Sequence, residues 1–393
     1  MRRWDSEACD RRFDPVSDAK IIQLTSSAVL SINIYCEQPY CSPDGQRLAI
    51  LRRAYAMPAG PSGLWVADLQ RLKVTCIERE GVAGVFNAAW SGLIHYSTGD
   101  GKLKRLDLTT LDVQEIELPF EPSLLGRSAS VSPDQRYIIC RQILPGKNPS
   151  VGIKRVDLHE MKEELIYDEP EMVNPHMQFN PVHGRDILAQ LNRGSELAED
   201  GSTVRACDPK KGTTHFLIDA DGSNRRSLPV GPPHTGGSTG HSAHIADTGR
   251  AAMTTTWDYD SWELDSRTPK GNLVMAGAED EHPSVFEAPD FRFYHLCVSK
   301  CGRYFVADAH HGSLYDERGV LKSVGIVIGC FETGKYRTLV KDSMASGGGG
   351  EHNHCHPYLT ADNRHVVFNS NPFYSPTQVF AAEVPDGFFD ELE

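Results

Sequence analysis

The segment GGGGEHNHCHPYLTADN, towards the carboxyl end of the chain, holds the densest group of histidines in the sequence. In it Glu351, His352, His354 and His356 surround a turn that precedes a β-rich run. Side chains two residues apart in an extended segment project to the same face, so these histidines are expected to point together. Such donors suit a borderline divalent metal such as manganese, iron, nickel or zinc. The spacing therefore predicts a metal site, with a solvated loop or adventitious metal binding as the alternative.

Histidines also stand just ahead of three earlier β-rich runs. His295 lies in FYHLCVSKCGRY, His241 in TGHSAHIADTGR and His176 in NPHMQFNPVHGR. Taken singly, such a histidine is more often a satisfied polar core residue than a ligand or a base. Their recurrence at one register in four consecutive units favours a shared site instead, in which they meet His354 and His356.

The segments that must position these histidines form a repeat. A turn of the Ser-Pro-Asp-Gly type is followed by a β-rich run, and a second β-run lies about twenty residues further on. The Asp-Gly pair supports a tight hairpin, and alternating apolar residues pack one face of the unit against its neighbour. Seven copies have blade strands that begin near residues 41, 90, 131, 179, 244, 297 and 358, and CSPDGQRLAILRR is the best of them.

Radial stacking of these units predicts an all-β fold, a seven-bladed β-propeller. One unit cannot bury its apolar face alone, whereas a ring of blades buries every face and leaves only short edges. We therefore expect residues 1–393 to form a single β-propeller domain. A large β-sandwich with accidental Ser-Pro-Asp-Gly turns is the alternative interpretation.

Composition and charge narrow the classes of function. Hydrophobic residues make up 39% of the chain and charged residues 24%, which is ordinary for a globular protein. The formal net charge of -13 argues against broad electrostatic binding to nucleic acid or to an anionic membrane surface. An acidic sugar would therefore need a local basic pocket. The sequence does not indicate an oligomeric state.

The amino-terminal segment and the cysteines bear on the cellular compartment. MRRWDSEACDRRFDP has no apolar run behind its basic residues, so we expect neither a signal peptide nor a membrane anchor, and a cytoplasmic location. Ten cysteines are scattered without a CxxC pair, and Cys140 and Cys330 lie in apolar strand-like runs. Buried free thiols are therefore expected, and a disulfide framework, which would need secretion, is the alternative.

Several segments resemble those of the oligogalacturonate lyases, seven-bladed β-propeller enzymes of pectin degradation. The opening IIQLTSSAVLSINIYCEQPYCSPDGQRLAI, the central HMQFNP and DADGSN, and GHSAHIADTG are similar to segments of that family in the same order. HLCVSKCG is similar to the segment of its first metal histidine, and EHNHCHPYLTADNRHVVFNS to its Gln-x-x-His-x-His-Pro metal motif. The resemblance extends over most of the chain.

The resemblance implies roles for individual residues. His295, His354 and His356 match metal-binding histidines, and Glu351 stands in the place of a glutamine ligand, where it adds a negative charge. His241 falls on the proposed Brønsted base. The cofactor that the resemblance implies is a divalent metal, with Mn²⁺ as the expected ion.

Two departures from the family concern the substrate. An arginine shortly before the Asp-Gly-Ser-Asn turn appears here as Thr214, and a His-Glu-Gly segment becomes Asn-Arg-Gly at residues 192–194. Arg193 restores a cation near the sugar in one interpretation and is a plain surface charge in the other. With His176 and Gln178, Arg193 is a candidate for contacts to a small acidic oligosaccharide.

The reaction implied by the resemblance is β-elimination on a uronic acid residue. It removes the C5 proton next to the carboxylate and expels the oxygen at C4, and a divalent cation on the carboxylate neutralises the charge that develops. A neutral histidine is a suitable base because its ordinary pKa is near 6.5. We therefore expect a metal-dependent lyase that cleaves short uronic-acid oligosaccharides. The alternatives are a lyase or hydrolase for a different acidic saccharide, and a noncatalytic binding propeller braced by the metal.

Overall fold

The chain folds into β-structure. A computed structural model describes residues 2–26, 29–53, 62–120, 129–208, 210–255, 273–289, 291–310, 324–345, 354–372 and 376–393. These ranges contain thirty-one β-strands and no α-helix, so the predicted all-β class is confirmed. Within the same ranges, no helix has the length and apolar character that a membrane span requires.

The strands assemble into antiparallel sheets in the arrangement of a β-propeller, and four of these sheets have four strands each. The first contains β3 (Leu30–Ile32), β4 (Arg47–Arg53), β5 (Ser62–Asp68) and β6 (Lys73–Glu78); the second β7 (Val82–Asn87), β8 (Leu93–Thr98), β9 (Leu103–Asp107) and β10 (Val113–Ile116); the third β11 (Ser130–Val131), β12 (Tyr137–Leu144), β13 (Ser150–Asp157) and β14 (Lys162–Glu169); the fourth β25 (Arg292–Val298), β26 (Tyr304–His310), β27 (Gly325–Cys330) and β28 (Tyr336–Val340).

An eight-stranded sheet lies between the third and fourth of these sheets in chain order. The residue pair Thr213 and Ser238 joins its two halves. A separate hairpin is inserted into the first half. The first half contains β15 (Gln178–Phe179), β16 (Asp186–Asn192), β19 (Thr213–Asp219) and β20 (Arg226–Ser227); the second half β21 (Ser238–His244), β22 (Arg250–Thr255), β23 (Leu273–Gly277) and β24 (Ser284–Phe286); the hairpin β17 (Glu196–Leu197) and β18 (Thr203–Arg205).

A five-stranded sheet joins the two ends of the chain. Ile21 and Ile22, near the amino terminus, pair with Ala382 and Ala381, near the carboxyl terminus. This pairing closes the ring of sheets with backbone hydrogen bonds, so that neither of the two paired strands leaves an open edge there. The sheet runs in the order β1 (Cys9–Phe13), β2 (Lys20–Gln23), β31 (Gln378–Glu383), β30 (His365–Ser370) and β29 (Tyr358–Leu359).

Apolar side chains packed between neighbouring sheets form the core. Phe286 of β24 meets Phe305 of β26 edge to face, with ring centroids 4.8 Å apart. Val306, in the next layer, is fully buried with Val366 of β30. Burying one such side chain stabilises the fold by about 1.5–3 kcal/mol. Outer strands such as β10 and β14 are mostly exposed, so burial decreases from the axis outwards.

The repeated turns connect the paired strands as the sequence predicts. Hydrogen bonds from side chains within each turn stabilise its conformation. The Ser42 hydroxyl hydrogen-bonds to Asp44 and accepts the backbone N–H of Arg47 at 2.9 Å. Asp44 accepts the N–H of Gln46 at 3.0 Å. Comparable Ser-Asp or Thr-Asp pairs hold the turns at residues 132–134 and 360–362. In each of the seven repeated turns a residue within two positions of the following strand has a positive φ, namely Gly45, Gly92, Gln135, Gly184, Gly249, Gly302 and Asn363.

All ten cysteines are free thiols. Cys140 and Cys330 are buried, as their apolar surroundings predict, whereas Cys9 and Cys301 are exposed. No disulfide therefore contributes to this fold.

Candidate metal centre

A cavity of about 780 Å³ lies where the sheets converge. Its size is within the usual range of small-molecule sites, about 300–1,000 Å³. Because every large sheet contributes to its wall, the cavity lies near the axis of the propeller. The contributing residues include Leu51 of β4, Val85 of β7, Arg141 of β12, Gln190 of β16, His241 of β21, His295 of β25 and Asn369 of β30.

Three histidines meet in this cavity. One ring nitrogen from each of His295, His354 and His356 lies within 4.8 Å of the others. The His295 ring centroid is 4.9 Å from that of His354 and 4.3 Å from that of His356. Three imidazoles converging in this way match the donor set of a catalytic divalent-metal site, which keeps further positions open. The residues present therefore fit the predicted metal. Glu351, the predicted fourth ligand, lies outside the described residues.

Backbone irregularities aim the two histidines that lie within strands. The pairing of β25 with β26 shifts register between Phe293 and Leu296, on either side of His295. The pairing of β21 with β22 shifts between Ser238 and Ser242, next to His241. A bulge bends a strand and re-aims the side chains within it. His241 and His295 thus belong to strands, although the sequence suggested that histidines precede the strands.

A backbone turn, rather than strand alternation, brings His354 and His356 together. His356 has a φ of 44°, and His176, which likewise stands two residues before a short inner strand, has a φ of 43°. Asn33 Nδ2 donates to the carbonyl of His356 at 2.7 Å, and Asn369 Nδ2 to that of His354 at 3.3 Å. The two side chains do reach the same group, as expected. The expected cause, an extended segment, is wrong for residues 354–356, because the backbone turns at His356.

Asp308, on β26, orients His295. The backbone N–H of His295 donates to Asp308 Oδ1 at 2.6 Å, and its Nδ1–H donates to Oδ2 at 2.6 Å. Burial raises the pKa of Asp308 to about 6, so the carboxylate is still ionised at neutral pH. With Nδ1–H committed to Asp308, Nε2 of His295 carries the free lone pair that a metal needs. Sequence reasoning missed Asp308, whose signal is a carboxylate within the otherwise apolar run YFVADA.

Glu37, which sequence reasoning also missed, is surrounded by four donors. Its carboxylate lies 3.1 Å from His176 Nδ1 and 3.7 Å from His241 Nδ1. Gln178 Nε2 donates to it at 3.2 Å and the backbone N–H of Ser242 at 3.4 Å. Burial raises the pKa of Glu37, but the two imidazoles outweigh burial and hold that pKa below its ordinary value. A lone acidic residue just before the first repeat, in YCEQPYC, is its sequence signal.

His241 links the two groups of side chains. Its ring centroid is 4.3 Å from that of His295 and 4.8 Å from that of Tyr294. Its Nδ1 lies on the side of Glu37 and 3.2 Å from the hydroxyl of Tyr35. Burial, followed by the charge of His295, holds the pKa of His241 well below its ordinary value. The ring is therefore neutral at neutral pH.

The structure does not bring all predicted substrate contacts into the cavity. His176 lines it, but Gln178 is buried beside it, with its amide bonded to Glu37 and to the Ser242 carbonyl. Among the described residues, Arg193 is absent from the cavity wall, and its guanidinium pairs with Glu171 at 2.8 Å on the surface. This is the surface-charge interpretation of Arg193.

Two other arginines, Arg53 of β4 and Arg141 of β12, line the cavity. Burial lowers the pKa of Arg141, although its guanidinium stays charged at neutral pH. Its Nε is buried and makes no hydrogen bond within the part of the chain that the structure describes. The cavity of this net-negative protein thus carries cations that sequence reasoning did not identify. Their sequence signal is a charge within strand-like runs, LAILRR and YIICRQ.

Comparison with known proteins identifies similar folds. No family model matches the sequence, and no curated protein matches it. An oligogalacturonate lyase in complex with manganese superposes with a TM-score of 0.69 at 16% identity, covering 99% of each chain. An oligogalacturonate lyase from Vibrio parahaemolyticus gives 0.69 at 17% identity, covering 98% of this chain and 99% of that one. The acylaminoacyl peptidase of Pyrococcus horikoshii gives 0.53 at 9% identity, covering 88% of this chain and 52% of that one. The chain therefore has the fold of the oligogalacturonate lyases, as its sequence motifs imply.

Proposed function

We propose that this protein is a metal-dependent lyase that cleaves short uronic-acid oligosaccharides of the oligogalacturonate type by β-elimination. One observation carries the proposal: a buried neutral histidine, His241, touches the three-histidine group through His295, with ring centroids 4.3 Å apart. β-Elimination needs a base at the C5 proton and, close to it, a cation at the neighbouring carboxylate. The fold shared with two oligogalacturonate lyases supports the same reaction.

The three-histidine group would hold the metal, with His295 fixed by Asp308. A divalent cation bound there would neutralise charge on the substrate carboxylate as the C5 proton leaves. We propose Mn²⁺ because one solved structure of this fold is an oligogalacturonate lyase in complex with manganese. Three imidazoles by themselves would also suit iron, nickel or zinc. Glu351 stays a predicted fourth ligand.

His241 is the proposed base. Because Glu37 and Tyr35 lie on its Nδ1 side, the Nδ1 proton is held there and Nε2 is free to accept the C5 proton. Burial keeps the ring neutral and therefore able to accept a proton at neutral pH. A positioned base of this kind contributes roughly 10²–10⁴-fold to the rate.

Arg53 and Arg141 are the proposed contacts for substrate carboxylates, with His176 beside them. Guanidinium groups bind carboxylates through paired hydrogen bonds. Thr214 stands where the oligogalacturonate lyases have an arginine. Arg53 of β4 and Arg141 of β12 supply positive charge from other strands instead. This different placement of charge favours a second candidate, a lyase for another uronate.

We further propose that residues 1–393 form a single domain with seven blades. The two halves of the eight-stranded sheet have four strands each, and the pair Thr213 and Ser238 joins them. Counted as two blades, these halves join four four-stranded sheets and the five-stranded sheet. A role in pectin degradation and a cytoplasmic location stay predictions from the sequence.

The test is the ultraviolet absorbance of the unsaturated uronate product. Metal-replete protein is incubated with digalacturonate, alongside a His241→Ala variant and a chelated sample. We expect the absorbance to rise with the wild type and to slow about 10²–10⁴-fold in His241→Ala. His183→Ala, which changes a histidine away from the cavity wall, is the matched control and keeps the full rate.

Absence of product from galacturonides, despite confirmed bound metal, would rule out that substrate and favour the other uronates. Equal rates for the wild type and His241→Ala would rule out His241 as the base. Equal rates with and without chelator would rule out the metal-dependent mechanism.

A further inference from the structure

Glu37, His176 and His241 form a second group of metal-ligand type beside the three histidines. We propose that this group, named here the Glu37 site, binds a second divalent cation. The site shares no residue with the group of His295, His354 and His356. Binding at the Glu37 site does not depend on the proposed lyase function.

The distances within the Glu37 site fit a cation. One ligand atom from each of its residues lies within 4.8 Å of the other two. The carboxylate lies 3.1 Å from Nδ1 of His176 and 3.7 Å from Nδ1 of His241. Donors bonded to one ion at about 2.1 Å in a tetrahedron lie roughly 3.4 Å from each other, which falls between these two distances. Small side-chain adjustments therefore suffice to bind an ion.

The charge balance at Glu37 favours a cation. Its side chain is only 3% exposed, and a buried carboxylate is costly unless it is paired. Its contacts are two imidazoles, the amide of Gln178 and the backbone N–H of Ser242. Of these four contacts, only the imidazoles can become positively charged. A divalent ion at this place supplies the opposite charge without protonation of either ring.

The backbone holds His176 ready for this role. His176 has a φ of 43°, in a region that residues with a side chain rarely adopt and that is therefore strained. His356, a residue of the three-histidine group, shows the same strained turn with a φ of 44°. Two equivalent places in the fold thus present a histidine to the axis in the same way, one to each group.

A cation in the Glu37 site would also regulate the reaction, a consequence that rests on the proposed function. The nitrogen of His241 that faces Glu37 is Nδ1. When Nδ1 binds a cation, Nε2 of the neutral ring keeps its hydrogen and cannot accept a proton. Excess divalent cation is therefore inhibitory, whereas an ion in the three-histidine group is required.

The experiment is equilibrium dialysis of chelator-treated protein against Mn²⁺, with bound metal measured by mass spectrometry. We expect two equivalents for the wild type, one for Glu37→Gln and one for His354→Ala. The double variant with both Glu37→Gln and His354→Ala lacks both sites, so the metal that it still binds measures nonspecific binding to the protein surface. His183→Ala is the matched control and keeps two equivalents. His176→Gln repeats the test of the Glu37 site, and thermal unfolding verifies that each variant is folded.

One equivalent in the wild type, kept in Glu37→Gln and lost in His354→Ala, overturns the Glu37 site and leaves the lyase proposal untouched. The lyase assay tests regulation separately, as the ratio, within each protein, of the rate at the lowest Mn²⁺ concentration that gives full activity to the rate at excess Mn²⁺. We expect this ratio to exceed one in the wild type and to approach one in Glu37→Gln. A second bound equivalent that does not slow the wild type overturns the inhibition and supports the site.

Discussion

Asp308 shows how a residue outside the ligand set determines a metal centre. Its two carboxylate oxygens accept from the backbone and from the ring of His295, each at 2.6 Å. The ring is thereby held in one orientation and one tautomer before any metal binds. Partners of this kind typically change metal affinity by 10–100-fold. The strength of the three-histidine group should therefore depend on a residue that does not contact the metal.

Asp308→Asn should weaken Mn²⁺ binding to the three-histidine group about 10–100-fold, because a neutral amide is a poorer acceptor for the Nδ1–H of His295. Titration calorimetry in a Glu37→Gln background measures this group alone. Asp157→Asn, which alters a carboxylate paired with Arg136 far from the cavity wall, serves as the control. Equal affinities in the two variants would contradict the role of Asp308.

Arg141→Gln should raise the KM for a galacturonide about tenfold or more, because a hydrogen bond to a charged group contributes about 1.5–3 kcal/mol. Steady-state kinetics of the lyase reaction measures the change. Arg193→Gln is the matched control: it removes an arginine that pairs with Glu171 on the surface, and it should leave KM unchanged. A KM effect confined to Arg193→Gln would reverse the assignment.

At the scale of the elements, middle strands of the sheets bury histidines that do not line the cavity. His95 of β8 is fully buried and stacks on Phe86 of β7, with ring centroids 6.1 Å apart. Neither of its ring nitrogens has a hydrogen-bond partner in the described part of the chain. Burial lowers the pKa of His95 to about 3. His215 of β19 is buried in the same way, with a pKa of about 3.

The buried histidines His95 and His215 should make the free energy of unfolding fall as the pH is lowered. In the unfolded chain His95 titrates near 6.5, so below that pH the unfolded state binds more protons and stability falls until the folded pKa is reached. Between pH 6.5 and 5 each such histidine costs about 2 kcal/mol. His95→Leu should reduce this pH dependence by that amount in denaturant unfolding, whereas replacing the exposed His159 by leucine should not. An unchanged pH dependence would show that His95 is not buried in neutral form.

At the scale of the whole molecule, ring closure keeps the distant parts of the cavity together. β2 lies between β1 and β31, and Leu24 N–H donates to the carbonyl of Val379 at 2.8 Å. Two residues earlier in the same ladder, the N–H of Ile22 faces β31 as well. The cavity wall takes residues from both sides of this junction, so opening the ring would separate them.

Ile22→Pro should lower the free energy of unfolding by about 1–3 kcal/mol, since it leaves a buried carbonyl of β31 without its donor. Chemical denaturation measures the loss. Val113→Pro, in the exposed edge strand β10, is the matched control and should cost less. Equal losses in the free energy of unfolding for the two proline variants would show that the pairing of β2 with β31 stabilises the fold no more than an edge strand does.

The strand class, the places of the repeated turns and the histidines that meet at the axis can all be predicted from the amino-acid sequence. These features depend on local physics: Ser42 and Asp44 hold their own turn, and period-two alternation sets which side chains face inwards. The motifs around His295 and His356 also implied the fold that the solved oligogalacturonate lyases share with this chain.

The polar residues that complete the cavity can be identified only from the folded arrangement of the sheets. Glu37 and Ser242 are 205 residues apart in the chain, and their hydrogen bond exists only because the ring of sheets brings the segment between β3 and β4 close to β21. No local pattern separates Arg141, which lines the cavity, from Arg193, which lies on the surface. Contacts of this kind depend on the geometry of the whole ring, because each sheet supplies only a part of the cavity wall.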